Sequence, residues 1–592
     1  MRTRFLTSIP ISILTGVLLV VVVLGPPAFA QSVSATAETT VKLQRPDHTA
    51  GSSKNMVASV HPLATQAGVD AFAAGGNAID AAIATALTLG VVDNFNSGIG
   101  GGCFVLIRTA DGNFYAIDGR EMAPAAAHKD LFKNAPPIPA NPSRVGALAS
   151  GVPGALKAYG QAVERHGKLE FSAALRAGEK AAREGFTVSK VYADKLATAR
   201  QAMSRFPATT EVFFRKLIVD TPSAPYLQGE HLTQTDLAAT YQSLAEHGTD
   251  WFYQGQFAKS TETWMKDHAG IMTASDFQNY KTVDRAPIKT TYRGYEIVGF
   301  PPPSSGGVHV SQILNILEHF DLAAIHQQDP ALMYHVIAEA MKLAFADRAH
   351  WLGDPDFVDV PSGLIDKTYA ADLAKLIDLE KTTPAQHGNP PNADTKFFEQ
   401  HTTHVAAADR EGNWVAITTT VNTGFGAKYI IPGTGVIMNN QMDDFVAIPG
   451  KPNVFGLVGG TNNAVAAGKR PLSSMSPTIV LLDGQPVLTV GGAGGPKIIT
   501  EVLLAIIHHL DLKLPIGEAI AQPRIHHQWT PTALLVEANF SSDLASGLEA
   551  RGHQLRRSKS MGICQGISFD PVTKMFQGAH DPRTTGKAQG EQ

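Results

Sequence analysis

Apolar and polar residues alternate with period two from Thr402 to Asn422, on either side of the turn formers Asp409-Arg410-Glu411-Gly412-Asn413. The pattern predicts a β-hairpin. If it is centred on Glu411, Thr402 faces Thr420, both being nine positions from the centre. Directly opposed residues in such a ladder have Cβ atoms about 4.5–5.5 Å apart. Odd positions carry Thr403, Val405, Ala407, Val415, Ile417 and Val421, a face suited to a core. Even positions carry Thr402, His404, Thr418, Thr420 and Asn422, which reads by itself as the solvent side of a half-exposed hairpin.

Elsewhere the periodicity predicts helices over 64–74 and 77–91, parted by Gly75-Gly76, and a hairpin from Phe104 to Tyr115 turning at Asp111-Gly112. Helices dominate 154–203, and 204–289 is mixed. A strand over 292–300 is stopped by Pro301-Pro302-Pro303, with helices following over 307–319 and 331–351. After Thr402 the chain turns strand-rich, with helices near 497–510 and 542–551. Val487–Val490 reads as a strand and Gly491-Gly492-Ala493-Gly494-Gly495 as a turn before the first of these helices. Residues 381–401, rich in Pro, Asn, Gly and Thr, read as a mobile surface segment whose end at His401–Thr402 is open to cleavage.

Cleavage there would change the chemistry of Thr402. A Thr at a new N-terminus has an α-amino group, with a reference pKa of about 7.7–8.0, that can take the proton of its own hydroxyl. The string TTHVAAAD…VNTGFG…NNQMDDF, followed by PLSSMSP and GGAGGPKIIT, resembles the small subunit of a γ-glutamyltransferase, an N-terminal-nucleophile hydrolase. Upstream, GGNAIDAA, GIGGGCF, REMAP, SGVPG, FPPPSSGG and ADRAHWLGDPDFV extend the likeness over nearly the whole chain. The resemblance implies a four-layer αββα sandwich of mixed α/β (α+β) class. It also implies a proenzyme that cuts itself into a large subunit, 31–401, and a small subunit, 402–592, which remain together as a heterodimer. Thr402 is then the nucleophile, Thr420 orients its hydroxyl, and the N–H groups of Gly494 and Gly495 form an oxyanion hole. Arg120 would bind the substrate α-carboxylate with help from Ser473 and Ser474. Asp444 would hold the α-ammonium, assisted by Gln441 and Asn422. Taken singly, each of these residues also fits a structural use as an ion pair, cap or loop. His404 supports the site rather than transferring protons.

The implied activity is hydrolysis and transfer of γ-glutamyl groups from glutathione and similar compounds to water, amino acids or dipeptides, with no cofactor. A glutaryl-type (cephalosporin) acylase of the same family is the alternative; its acyl group lacks the amino substituent, so a retained acid at Asp444 favours γ-glutamyl substrates. Where many relatives place a lid tyrosine this chain has Phe455, which cannot hydrogen-bond Asn422. A periplasmic amino-acid or peptide binding protein is the reading from a different class.

Composition narrows the partners. The 592 residues are 44% hydrophobic and 17% charged, an ordinary globular balance. Formal charge is −4, and removing a leader that contains Arg2 and Arg4 and no acids makes it more negative, which disfavours nucleic acid or anionic membrane as partners. Residues 1–30 have a basic start, an apolar run and Ala28-Phe29-Ala30, and are expected to be a signal peptide, with a periplasmic or secreted product and no lasting membrane anchor. An uncleaved anchor is the alternative. Cys103 and Cys564 could pair in an oxidising compartment, although no spacing rule links them. The adjacent pairs His508-His509 and His526-His527 do not converge on a metal, and HExxH is absent, so no metal site is expected.

Overall fold

In the computed structural model two seven-stranded sheets lie face to face. It describes residues 48–133, 141–215, 224–391, 403–446 and 463–591. The leader, His401, Thr402 and Phe455 lie outside them. The first sheet runs, edge to edge, Lys587–Gln589, Asn55–Ser59, Thr403–Asp409, Trp414–Thr420, Gly102–Arg108, Phe114–Gly119 and Val283–Arg285. The second runs Thr49–Ser52, Met575–Ala579, Ile563–Asp570, Gln485–Ala493, Thr478–Leu482, Tyr295–Gly299 and Ile288–Tyr292. The strand pairs within both are antiparallel. Each sheet therefore interleaves strands from before and after the His401–Thr402 junction.

Three apolar cores define the layers. Met56, Ala58, Phe104, Leu106, Ala406, Ala408, Trp414 and Ala416 of the first sheet meet Val298, Ile479, Leu481 and Ile567 of the second. The opposite face of the first sheet, with Val405, Ala407, Val415 and Ile417, packs on the helices Pro62–Ala73, Ala78–Val92 and Ala155–His166. The outer face of the second, with Val480, Leu488 and Val490, packs on Gly306–Leu317, Pro330–Trp351 and Lys497–Leu510. The order is helix, sheet, sheet, helix, as the resemblance implied. Among the described residues no helix is long and apolar enough to cross a membrane.

The hairpin register holds: Thr403 pairs with Thr419 and His404 with Thr418. Its polar face does not meet solvent, however. Both strands are buried along their whole length, because the second sheet covers the even face. A second departure is the glycine run. Gly491 and Gly492 stay in the strand, pairing with Gln565 and Cys564, so the turn is confined to Gly494 and Gly495. Glycine is needed here because a Cβ on Gly491 would lie 2.3 Å from the His404 ring. Part of the segment before Thr402 is also less mobile than its composition suggests. The backbone N–H of Thr382 donates to the Arg551 carbonyl at 2.7 Å, and that of Gly388 to Asp347 at 2.7 Å. Cys103 and Cys564 are unpaired, and burial pushes both thiols well above their usual range.

Candidate active site

The hairpin end anchors the site. Gly102 pairs with Thr420 on the neighbouring strand, and the glycines of the GIGGG motif let the two backbones close up: a Cβ on Gly101 would sit 1.8 Å from the Thr420 carbonyl oxygen. Gly101→Ala is expected to cost about 1–3 kcal/mol, the range for overpacking, and to displace Thr420. A urea unfolding midpoint equal to that of the wild type would rule out this close approach.

Beyond Thr420 the chain turns sharply. The Thr420 hydroxyl accepts the N–H of Asn422 at 2.8 Å, and Asn422 takes φ 77°, a left-handed conformation that Asn tolerates better than most residues. The Asn422 amide donates to the Asn440 carbonyl at 2.9 Å, which joins the hairpin to the short helical turn Gln441–Asp444. Asn439 fixes that turn by donating to the carbonyls of Gly100 and Gly151 at 2.8 Å and accepting the N–H of Gln441 at 3.0 Å.

Arg120 and Asp444, expected to bind opposite ends of a substrate, bind each other. The guanidinium Nη2 donates to Asp444 Oδ2 at 2.7 Å, and both side chains are 0% exposed. Arg120 also donates to the carbonyls of Pro471 and Leu472 at 3.0 and 3.1 Å, and the Gln441 amide donates to the same Asp444 oxygen. Glu121 lies 3.3 Å from Arg120 Nη1, and burial pushes its carboxyl up to about 7. Next in sequence, Ser473 Oγ accepts the N–H of Met475, and Ser474 Oγ accepts from Arg348 Nη2 at 3.0 Å. Hydrogen bonds thus link Thr420 to Asn422 and Asn422 to the carbonyl of Asn440, next to Gln441, while Gln441, Asp444 and Arg120 bond in turn and Arg120 ends on the carbonyl of Leu472, next to Ser473 and Ser474.

The glycine loop approaches from the other sheet. The His404 ring lies against Gly491 and has Nδ1 3.1 Å from the Thr418 hydroxyl. Burial pulls its pKa down to about 3, so the ring is neutral and ill suited to carrying protons at neutral pH. Gly494 abuts Gly562, whose Cα a Cβ would meet at 2.7 Å. Gly495 has φ 71°, and its carbonyl accepts from Ile498 in the first turn of the helix Lys497–Leu510. This leaves backbone N–H groups at a strand–helix junction, where an anion is favoured.

A family model described as Gamma-glutamyltranspeptidase matches residues 64–591. The chain belongs to the gamma-glutamyltranspeptidase family. A similar relative is the Glutathione hydrolase proenzyme of Escherichia coli (strain K12), 42% identical, the alignment covering 91% of this chain and 92% of that protein. The Acylase ACY 1 proenzyme of Pseudomonas sp. (strain SE83) is 36% identical over 88% of this chain and 91% of its own length. The crystal structure of cephalosporin acylase from Bacillus halodurans superposes with a TM-score of 0.82 at 28% identity, covering 95% of this chain and all of that one.

For a gamma-glutamyltranspeptidase family member the site holds one residue that the motif reading passed over. Arg348, inside ADRAHWLGDPDFV, is buried and bridges the Ser305 hydroxyl at 2.9 Å to that of Ser474. It tethers FPPPSSGG to PLSSMSP across the helix Pro330–Trp351. Sequence also missed a polar cluster remote from these residues. His335 and Glu339, one turn apart on Pro330–Trp351, converge with His553, their potential ligand atoms all within 4.8 Å of one another. Each already has protein partners. His335 Nδ1 is 2.8 Å from His553 Nε2, its Nε2 donates to the Asp378 carbonyl at 2.7 Å, and Glu339 accepts from Lys342 and Thr382 at 2.6 Å. The arrangement braces the helix to the loop that follows Ala550. His508 and His509 bond separately, to the carbonyls of Ala519 and Leu514.

Proposed function

We propose that this protein is a self-processing γ-glutamyltransferase and glutathione hydrolase whose nucleophile is Thr402. What supports the reading is the family match together with the hydrogen-bonded groups that bring Thr420, Asn422, Gln441, Asp444 and Arg120 to one end of the hairpin, beside PLSSMSP. In self-cleavage the Thr402 hydroxyl oxygen adds to the His401 carbonyl carbon. The C–N bond breaks, the hydroxyl proton passes to the departing nitrogen, and an ester remains. Water then splits the ester, leaving a His401 carboxylate and a free Thr402 hydroxyl and amine. In turnover that amine takes the hydroxyl proton while the oxygen attacks the γ-amide of glutathione or a related compound. The leaving amine carries the proton away, and the γ-glutamyl ester passes to water or to an acceptor amine. Gly494 and Gly495 would stabilise the oxyanion, and each such donor typically contributes about 3–4 kcal/mol.

Substrate binding exchanges one ion pair for two. The α-carboxylate takes the guanidinium of Arg120 and the α-ammonium takes Asp444, which now satisfy each other. Ser473 and Ser474 would add hydrogen bonds to the carboxylate. The product is a heterodimer of 31–401 and 402–592, exported after loss of 1–30.

The purified protein is expected to run as two bands on a denaturing gel and to release chromophore from a γ-glutamyl anilide. A single intact polypeptide that binds amino acids without turnover would instead identify a binding protein. The glutaryl-acylase reading draws on the Acylase ACY 1 and cephalosporin acylase likenesses. It requires a glutaryl anilide to be cleaved faster than its γ-glutamyl counterpart.

A further inference from the structure

The segment that follows the helix Ala78–Val92 ties together both strands that leave the hairpin toward the scissile junction. Asp93, the C-cap of that helix, is buried. Its Oδ2 lies 3.3 Å from the hydroxyl of Thr403, the residue next after the proposed nucleophile. Asn96 Nδ2 donates to both Asp93 oxygens at 3.2 Å, and the Asn96 carbonyl accepts the N–H of Val421 at 2.9 Å. One carboxyl thus reaches the start of the strand Thr403–Asp409 directly, and the residue after Thr420 through Asn96. Thr403 points to the helix side of the sheet, away from the even face that carries His404 and Thr418.

We propose that Asp93 is a positioning residue for self-cleavage, its ionised carboxylate drawing in the Thr403 hydroxyl and fixing the strand start beside the bond to be cut. The inference rests on the self-processing reading above. The Thr403 contact is slack for a hydroxyl donor; an ionised carboxylate normally holds one at about 2.5–2.7 Å. Burial, opposed by the Asn96 and Thr403 hydrogen bonds and by the Lys195 ammonium, pushes Asp93 up to about 7. The groups acting on it are Lys195 and the Tyr192 phenol, both from the helix Lys190–Met203, the neutral Asn96 amide and, across the sheet, Thr403. The acid at the C-terminal end of a helix also meets the unfavourable end of the helix dipole, which adds to the same shift. Below about 7 the carboxyl is therefore protonated and the grip on Thr403 is loose, and above it the grip tightens.

The test is the rate of proenzyme splitting against pH for the wild type, Asp93→Asn and Thr403→Val. The ratio of wild-type to Asp93→Asn rates should climb from near one at pH 5.5 to about tenfold at pH 8.5, the size expected of one charge-assisted hydrogen bond. Thr403→Val, which keeps Asp93 but removes its donor, should flatten the same rise and covers the case in which Asp93→Asn does not fold. A ratio that is independent of pH overturns the proposal, since it would mean a purely structural loss. A wild-type chain that never splits overturns the proposed function, and this inference with it.

Discussion

Thr402→Ala is expected to remain one uncut polypeptide and to turn over no γ-glutamyl anilide above background. A single oxygen is assigned to two reactions, so one substitution should abolish both. Where nucleophile and base act as a unit, removing the nucleophile typically lowers kcat by on the order of 10^6. Thr402→Ser retains a hydroxyl and should still be cut, more slowly. Thr403→Ala is the internal control. Its hydroxyl bonds Asp93, so that variant should be cut more slowly above neutral pH but still be cut and active, and its small fragment should still begin with Thr402. Mass spectrometry of the fragments decides the matter: a normally processed Thr402→Ala chain, or a fragment beginning elsewhere, ends the assignment.

Asp444→Ala should be the most destabilising change at the site. It leaves the Arg120 guanidinium, 0% exposed, without its closest counter-charge. Breaking a buried pair from one side costs about 3–5 kcal/mol, mostly because the surviving charge is stranded. Replacing both partners with apolar residues of similar size, Arg120→Met with Asp444→Leu, should recover much of the stability and none of the turnover. Asp444→Asn separates the two roles further: it keeps an acceptor for Arg120, so the loss of stability should be smaller, while kcat/KM falls through a raised KM because no charge faces the substrate ammonium. Urea unfolding and steady-state kinetics read these separately. An Asp444→Ala protein as stable as the wild type would contradict the buried pair.

The hairpin register was legible because a turn cluster between β-branched runs fixes which residues oppose each other, and Thr403 opposite Thr419 follows from counting. The helices Ala78–Val92 and Lys497–Leu510 were legible for the same local reason, apolar periodicity. What was not legible depends on tertiary layering. A polar face made of His404, Thr418 and Thr420 reads as solvent-facing until a second sheet covers it, and no local pattern announces that cover. Gly491 and Gly492 read as a turn because glycine breaks strands in isolation. In the sheet they are the only residues thin enough to admit the His404 ring and the Glu501 carboxyl, which a Cβ would meet at 2.3 and 2.1 Å. Arg348 and Asp93 escaped because each works through partners distant in the chain, Ser474 and Thr403, and spacing carries no trace of such contacts. The likeness to a family supplied Arg120 and Asp444 as opposite ends of a pocket; only the structure places them in contact.

Interleaving of the strands governs how such an enzyme can be made. The hairpin Thr403–Thr420 lies between Asn55–Ser59 and Gly102–Arg108, both from the upstream portion. Synthesised without the downstream portion, that upstream polypeptide would expose two raw sheet edges facing an empty slot, the arrangement most prone to cross-chain pairing and aggregation. Mixing separately purified halves should therefore yield precipitate rather than enzyme. The covalent join is needed only while the layers assemble, and scission belongs after folding as the last step of biogenesis.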